Sequence, residues 1–231
     1  MRRAQPPVGP DTVPAYLHPL ATRAARGEVL LDRAGAREQL PPARDVRRSA
    51  VLIHLAGESA AHAHLLLEER GHQLRSQPGQ FALPGGGVEP DDHDVVHTAL
   101  REAQEETGLD PSDAKVLGAF APIPMPWRAQ EVTPVLSWSP QIPTLGPHDP
   151  VEVERLVWAP LVGGASLTDP ARHARGRLDG RDVGPVFDLP GDAFIWGFTA
   201  MILEQVLAGV GLEVVGGNVP LRDIPPGRRR R

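Results

Sequence analysis

The chain predicts an α+β domain layered as α/β/α. Three observations carry that expectation. Short β-rich segments come first, then one amphipathic helix, then further strands and a last helix. The regular strand–helix alternation of a doubly wound fold is missing. And 231 residues are enough to bury a substantial core in one large domain, or in one domain with extensions.

Residues 1–10 and 224–231 ("IPPGRRRR") are rich in Pro, Gly and Arg and are expected to be mobile ends. Residues 11–26 predict a short helix, with Pro14 near its start and Gly27 after its end. Residues 34–47 predict an irregular approach to the core. "SAVLIHLAG" (49–57) and "HAHLLLEER" (62–70) are short and β-prone, and predict neighbouring strands. "QFALPGGG" (80–87) predicts a strand running into a glycine turn. Residues 93–107 predict the clearest helix. Strands are expected within 114–123, 131–138, 153–161 and 182–189, and a final amphipathic helix over 192–208, ended by Gly209. This order divides the chain into an N-terminal extension with a short helix (1–47), a main domain (48–208) and a C-terminal extension (209–231). There is no internal repeat.

Composition narrows the function classes. The net charge is −5 and Lys115 is the only lysine, so no basic surface for nucleic acid is expected. Cysteine is absent, which excludes disulfides, thiolate metal sites and a cysteine nucleophile. No apolar run reaches the roughly 18 residues of a membrane span, and no apolar stretch follows the first arginines as a secretory signal requires. The expectation is a cytoplasmic protein with no membrane partner.

On a helix over 93–107, at about 100° per residue, Val96, Ala99, Leu100, Ala103 and Thr107 form an apolar stripe facing the core. Glu102, Glu105 and Glu106 fall on another arc, and their spacing lets all three converge on one point. Like charges at i,i+3 and i,i+4 repel by a few tenths of a kcal/mol, roughly, and Arg101, four residues before Glu105, offsets part of that. A solvated acidic face is the plain reading of such a pattern. The "LPGGG" turn just upstream favours another, because glycines let backbone oxygens approach a ligand closely. Three carboxylates and a carbonyl make an oxygen-only set suited to Mg²⁺ or Mn²⁺, which can clamp phosphate oxygens and activate water.

The stretch "GGVEPDDHDVVHTALREAQEETGL" resembles the Nudix box, G-x5-E-x7-R-E-U-x-E-E-x-G-U with U aliphatic. Gly87, Arg101, Glu102, Ala103, Glu105, Glu106, Gly108 and Leu109 match in register. His93 departs from the pattern, standing in place of the first glutamate, with Glu89, Asp91 and Asp92 nearby. The resemblance implies a Nudix fold, an α/β/α sandwich with a mixed central sheet, and a hydrolase of nucleoside diphosphate derivatives. It implies Glu105 and Glu106 as main metal ligands, Glu102 as ligand or base, Arg101 as the residue that orients a glutamate, and the Gly86–Gly87 backbone as source of a carbonyl.

Upstream, "LLLEERGHQLRSQPGQFALPGG" resembles the stretch before the box in the coenzyme A diphosphatase branch of that family. Leu65, Leu66, Arg70, Leu74, Arg75, Gly79, Pro84, Gly85 and Gly86 match without a gap; Leu83 and Gly71 depart, replacing Phe and Ser. "VTPVLSW", "DPVEVERLVWAPL" and "IWGFTAMIL" are similar to later stretches of the same branch, so the resemblance covers about 48–208. It implies cleavage of coenzyme A or its thioesters into adenosine 3′,5′-bisphosphate and 4′-phosphopantetheine species. Arg70 and Arg75 are then guanidiniums for phosphate oxygens, and Glu152 an auxiliary ligand or base. The alternatives are the same chemistry on ADP-ribose, NADH, a dinucleoside polyphosphate or a capped RNA end, or a Nudix module that binds a nucleotide without cleaving it. Trp127, in a proline-braced loop, is a stacking or a packing residue; Trp196 and Phe198 are expected in the core. His62, His64 and His72 fall in predicted strand and loop, without metal spacing on a helix, and Ser59 and Ser76 lack a partner for nucleophilic catalysis.

Overall fold

The computed structural model describes residues 13–33, 35–74, 76–146, 149–212 and 219–228. Arg75 and the first twelve residues lie outside these ranges. The strands are β1 (Arg47–Ala56), β2 (His64–Arg70), β3 (Phe81–Ala82), β4 (Gly85–Gly87), β5 (Lys115–Ala119), β6 (Ile123–Met125), β7 (Gln130–Ser139), β8 (Val153–Pro160), β9 (His173–Leu178), β10 (Arg181–Leu189), β11 (Ala193–Trp196) and β12 (Leu221–Asp223). The helices are α1 (His18–Ala25), α2 (Val95–Thr107) and α3 (Gly197–Gly209).

The first sheet runs β3-β2-β1-β7-β5, with β4 also on β1, β6 on β7 and β8 on β2. It is mixed: β1 and β7 pair in parallel from Arg47–Gln130 to Ala56–Ser139, and its other pairings are antiparallel. Side chains alternate faces along a strand, and both faces are covered. Ala50, Leu52, Leu66 and Val135 meet Ala99 and Ala103 of α2. On the other face Ile53, Leu55, Leu65, Leu67 and Leu136 meet Leu17 and Leu20 at the N-terminal side and Leu203 and Val206 of α3. This is the expected α+β, α/β/α arrangement. Among the described residues no helix is long and apolar enough to cross a membrane.

A second sheet, β11-β10-β9-β12, was not foreseen as such. Its outer strands explain why. The expected helix over 192–208 is two elements. Ala193–Trp196 pairs with β10, matching Ile195 to Phe187, because Phe-Ile-Trp is a β-prone run. Gly197, at φ +68°, then turns the chain into α3. β9 is rich in arginine and shows no apolar run that would mark a strand. The tail is corrected too. Residues 221–223 pair in parallel with β9, Ile224 is buried, and Arg228 donates to the Gly79 carbonyl at 2.8 Å and lies 3.7 Å from Glu69. The stretch 224–228 is therefore a packed return rather than a mobile end. Trp196 and Phe198 are half-buried at the margins of the apolar clusters, not inside them.

Candidate active site

Helix α2 lies across β1 and β4 and carries the acidic residues over the glycine strand. Its ends are set locally. The Asp94 side chain accepts from the His97 N–H at 2.8 Å, and Gly108 closes the helix in the left-handed region at φ +67°. The apolar stripe is seated as the periodicity predicts, but it is wider. Thr98 and Glu106 are also buried.

The three glutamates do not converge as one group. Glu105 is exposed and accepts from Arg101 Nη1 at 3.0 Å. Glu102 is half-buried and accepts from Arg101 Nη2 at 3.0 Å; burial raises its pKa and Arg101 opposes the rise. Glu106 points inward, where Oε2 accepts from the Gly85 N–H at 2.7 Å. Its neighbour there is Glu68 of β2, 1 % exposed and close enough that each carboxyl shifts the other's charge. Burial pushes the Glu106 carboxyl up, and the Glu68 charge pushes it further. Glu68 is raised as well, by burial first, with Arg70 opposing. Two buried carboxyls in contact cannot both ionise without a counter-charge.

Glu68 was missed in the sequence. The available signal was a glutamate inside the apolar run Leu65–Leu67, two residues after Leu66 and so on the face that α2 covers. Arg70 stands beside it, at 3.9 Å from Glu68, with a buried Nε that has no hydrogen-bond partner among the described residues. Glu152 is exposed in the turn before β8, and its charge adds to the field that raises Glu68.

Arg101 is held from the side where the box departs. Asp92 takes a two-point contact from Arg101 Nε and Nη2, both at 3.1 Å. It also accepts from Thr98 Oγ1 at 2.9 Å, the Glu89 N–H at 2.9 Å and His97 Nδ1 at 2.8 Å. The Arg101 contact, first among these, holds the Asp92 carboxyl well below the usual range. His93 is exposed and only leans on the His97 ring, 5.1 Å away. Asp92, one residue earlier, is the acidic anchor here. Arg101 Nη2 also donates to the Gly87 carbonyl at 3.0 Å, tying the helix to β4. A Cβ at Gly86 would stand 2.3 Å from Glu102 Oε1, so any larger residue there must displace the Glu102 carboxylate. Trp127 is exposed, stacked under the Arg33 guanidinium at 4.3 Å, and walls a cavity of about 390 Å³.

Among the described residues, no three His, Asp or Glu side chains stand close enough together to hold a metal ion as placed. The donor chemistry nonetheless fits a hard divalent cation. Glu68, Glu102 and Glu106 offer only oxygen, influence one another's charge, and leave Glu68 Oε2 buried with no hydrogen-bond partner.

This chain belongs to the Nudix family: the NUDIX domain model matches residues 46–175. It is 35 % identical over 168 residues to an uncharacterized Nudix hydrolase, NudL, of Yersinia pestis, covering 72 % of this chain and 81 % of that protein. It is also 35 % identical over 173 residues to a probable Nudix hydrolase of Schizosaccharomyces pombe, covering 74 % of this chain but only 58 % of the yeast protein. Among solved structures, a MutT/nudix family protein from Enterococcus faecalis aligns over 78 % of this chain and 76 % of its own, with TM-score 0.47 and 19 % identity.

Proposed function

We propose that this chain hydrolyses the diphosphate bond of a nucleoside diphosphate derivative with a divalent metal, Mg²⁺ or Mn²⁺, and that its substrate is coenzyme A or a thioester of it. The observation that carries this reading is the pairing of buried Glu68 and Glu106 and half-buried Glu102 with the adjoining Arg70. An anionic pocket next to an incompletely satisfied guanidinium suits a phosphate chain bridged by a cation. Membership of the Nudix family and the ungapped 65–86 resemblance support the same choice.

Glu68, Glu102 and Glu106 would hold the cation, with Glu105 able to join by leaving Arg101 and with carbonyls of Gly86 or Gly87 beside them. When bound, the cation neutralises phosphate oxygens and makes water a better nucleophile at neutral pH. Arg101 fixes Glu102 and the glycine strand. Arg70 binds a phosphate oxygen and stabilises the negative charge that builds up there as the bridging bond breaks. Glu102 or Glu152 accepts the proton of the attacking water. The products are adenosine 3′,5′-bisphosphate and a 4′-phosphopantetheine species. Gly71, which replaces the branch's Ser, has a local cause: a Cβ there would stand 2.0 Å from the Val151 carbonyl oxygen.

The test is a panel of coenzyme A, ADP-ribose, NADH and a dinucleoside polyphosphate with Mg²⁺ or Mn²⁺, the products separated by chromatography. Coenzyme A is expected to show the highest kcat/KM. A tenfold or greater preference for ADP-ribose would overturn the coenzyme A assignment and leave the family's chemistry standing.

A further inference from the structure

At one end of the first sheet β2 finishes at Arg70, β1 begins near Arg47, and β6 turns into β7 through Pro126–Arg128. Gln130 matches both Arg47 of β1 and Met125 of β6, which sets this turn against the start of β1. Arg47 Nη2 donates to the Arg128 carbonyl at 3.0 Å and clamps the turn, and Ala129 closes it in the left-handed region at φ +47°.

Three guanidiniums are thereby gathered at one end of the sheet. Several half-buried arginines elsewhere have carboxylates: Arg101 has Asp92, Arg155 has Glu69, and Arg228 has Glu69 and Asp192. Arg128 is half-buried, yet among the described residues its guanidinium meets no carboxylate and donates no hydrogen bond. Burial lowers its proton affinity, and the positive charges of Arg70 and Arg47 lower it further. The nearest carboxylate to Arg70 is Glu68 at 3.9 Å. Such a group of like charges is costly unless an anion sits among them. A planar guanidinium with free N–H groups suits a phosphate better than any neutral ligand.

We propose that Arg128, together with Arg47, forms a subsite for a phosphate monoester carried by the substrate beyond the diphosphate that is cleaved, with Arg70 on the diphosphate side. The inference rests on the diphosphatase reading above and deepens it. Arg70 adjoins the carboxylates, so it faces the diphosphate; Arg128 lies further out and receives the additional phosphate. Coenzyme A carries such a group on its ribose, whereas dephospho-coenzyme A, ADP-ribose and NADH do not. The 126–128 turn would then select the substrate.

The experiment uses the full chain, wild type, Arg128→Gln and Arg128→Lys. Calorimetry measures binding of adenosine 3′,5′-bisphosphate and of AMP, which differ by one phosphate. Steady-state assays give the ratio of kcat/KM for coenzyme A to that for dephospho-coenzyme A. Arg128→Gln should lower both the bisphosphate preference and the kinetic ratio by about ten- to a hundredfold, the worth of a charge-assisted contact. Arg128→Lys should recover part of each, which a merely structural role for Arg128 would not predict. Equal weakening of both ligands, or a wild type that binds the bisphosphate no better than AMP, overturns the subsite. If coenzyme A is cleaved but Arg128→Gln leaves the ratio unchanged, the subsite falls and the substrate assignment stands. If coenzyme A is not cleaved but Arg128→Gln still abolishes the bisphosphate preference, the subsite stands and the substrate assignment falls.

Discussion

Replacing Asp92 with Asn is expected to loosen Arg101 and, through it, the helix that carries the acidic residues. The Asp92 side chain is 1 % exposed. Donors from Arg101, Thr98, Glu89 and His97 converge on its two oxygens. Asparagine keeps the size but turns one oxygen into an NH₂ group, so at least one donor must face another donor. Removing one partner of a buried ion pair costs about 3–5 kcal/mol. Arg101 is 18 % exposed and keeps Glu102, Glu105 and the Gly87 carbonyl, which brings the expected loss to about 2–3 kcal/mol. For a chain of this size that is a fall in Tm of roughly 4–12 °C. Because the Asp92 carboxyl is held below its usual range, this stabilisation is present at neutral pH and lost as pH falls through the acid range. The difference between wild type and Asp92→Asn should therefore be full at pH 7 and shrink toward pH 3. Displacement of Glu102 should also lower kcat by about ten- to a hundredfold, with KM little changed. Circular dichroism melts and initial rates measure both. A variant melting within about 1 °C of wild type at pH 7, with unaltered kcat, would show that Asp92 does not anchor Arg101.

Glu106→Gln retains an acceptor for the Gly85 N–H and removes one of two facing charges, so the fold should survive while turnover falls at least about a hundredfold. Activity close to wild type at saturating Mg²⁺ or Mn²⁺ would remove Glu106 from the site. Gly86→Ala would drive a methyl group against Glu102 Oε1, and kcat should drop while melting moves by only a few degrees, roughly; unchanged kcat would show that Glu102 need not stay where it is. His54 is buried between Ser137 and Ser139, and burial pushes it down to about 3. The unfolded chain takes that proton first, so stability is full above about pH 6.5 and declines as pH falls toward 3, by about 2 kcal/mol at pH 5. His54→Asn should flatten the Tm profile between pH 7 and 5, and parallel profiles would refute the assignment.

Helix α2 was legible residue by residue because everything that defines it is local. Its 3.6-residue periodicity, the capping Asp94 and the closing Gly108 lie within one short segment. The same holds for β1, β2 and β7, whose apolar runs mark them as strands that are covered on both faces. The boundary between β11 and α3 was not legible. A β-prone run and an apolar helix follow each other without a break in hydrophobicity, and pairing with β10 decides where one ends. β9 and β12 were hidden for a related reason. Their strand character comes from partners across the sheet and not from their own residues.

The candidate site divides along the same line. Sequence alone determined the acidic helix, the glycine strand before it and Arg101, since these are fixed by register along one stretch of chain. Which glutamate is buried, which is drawn off by Arg101, and which stranger joins them was decided only in three dimensions. Glu68 meets Glu106 because β2 and α2 pack across a sheet, and Arg128 approaches Arg70 because β6 turns beside β1. Such contacts join residues tens of positions apart, and they depend on burial and on the loss of water around charges. Those are properties of the packed molecule, and no spacing along the chain encodes them.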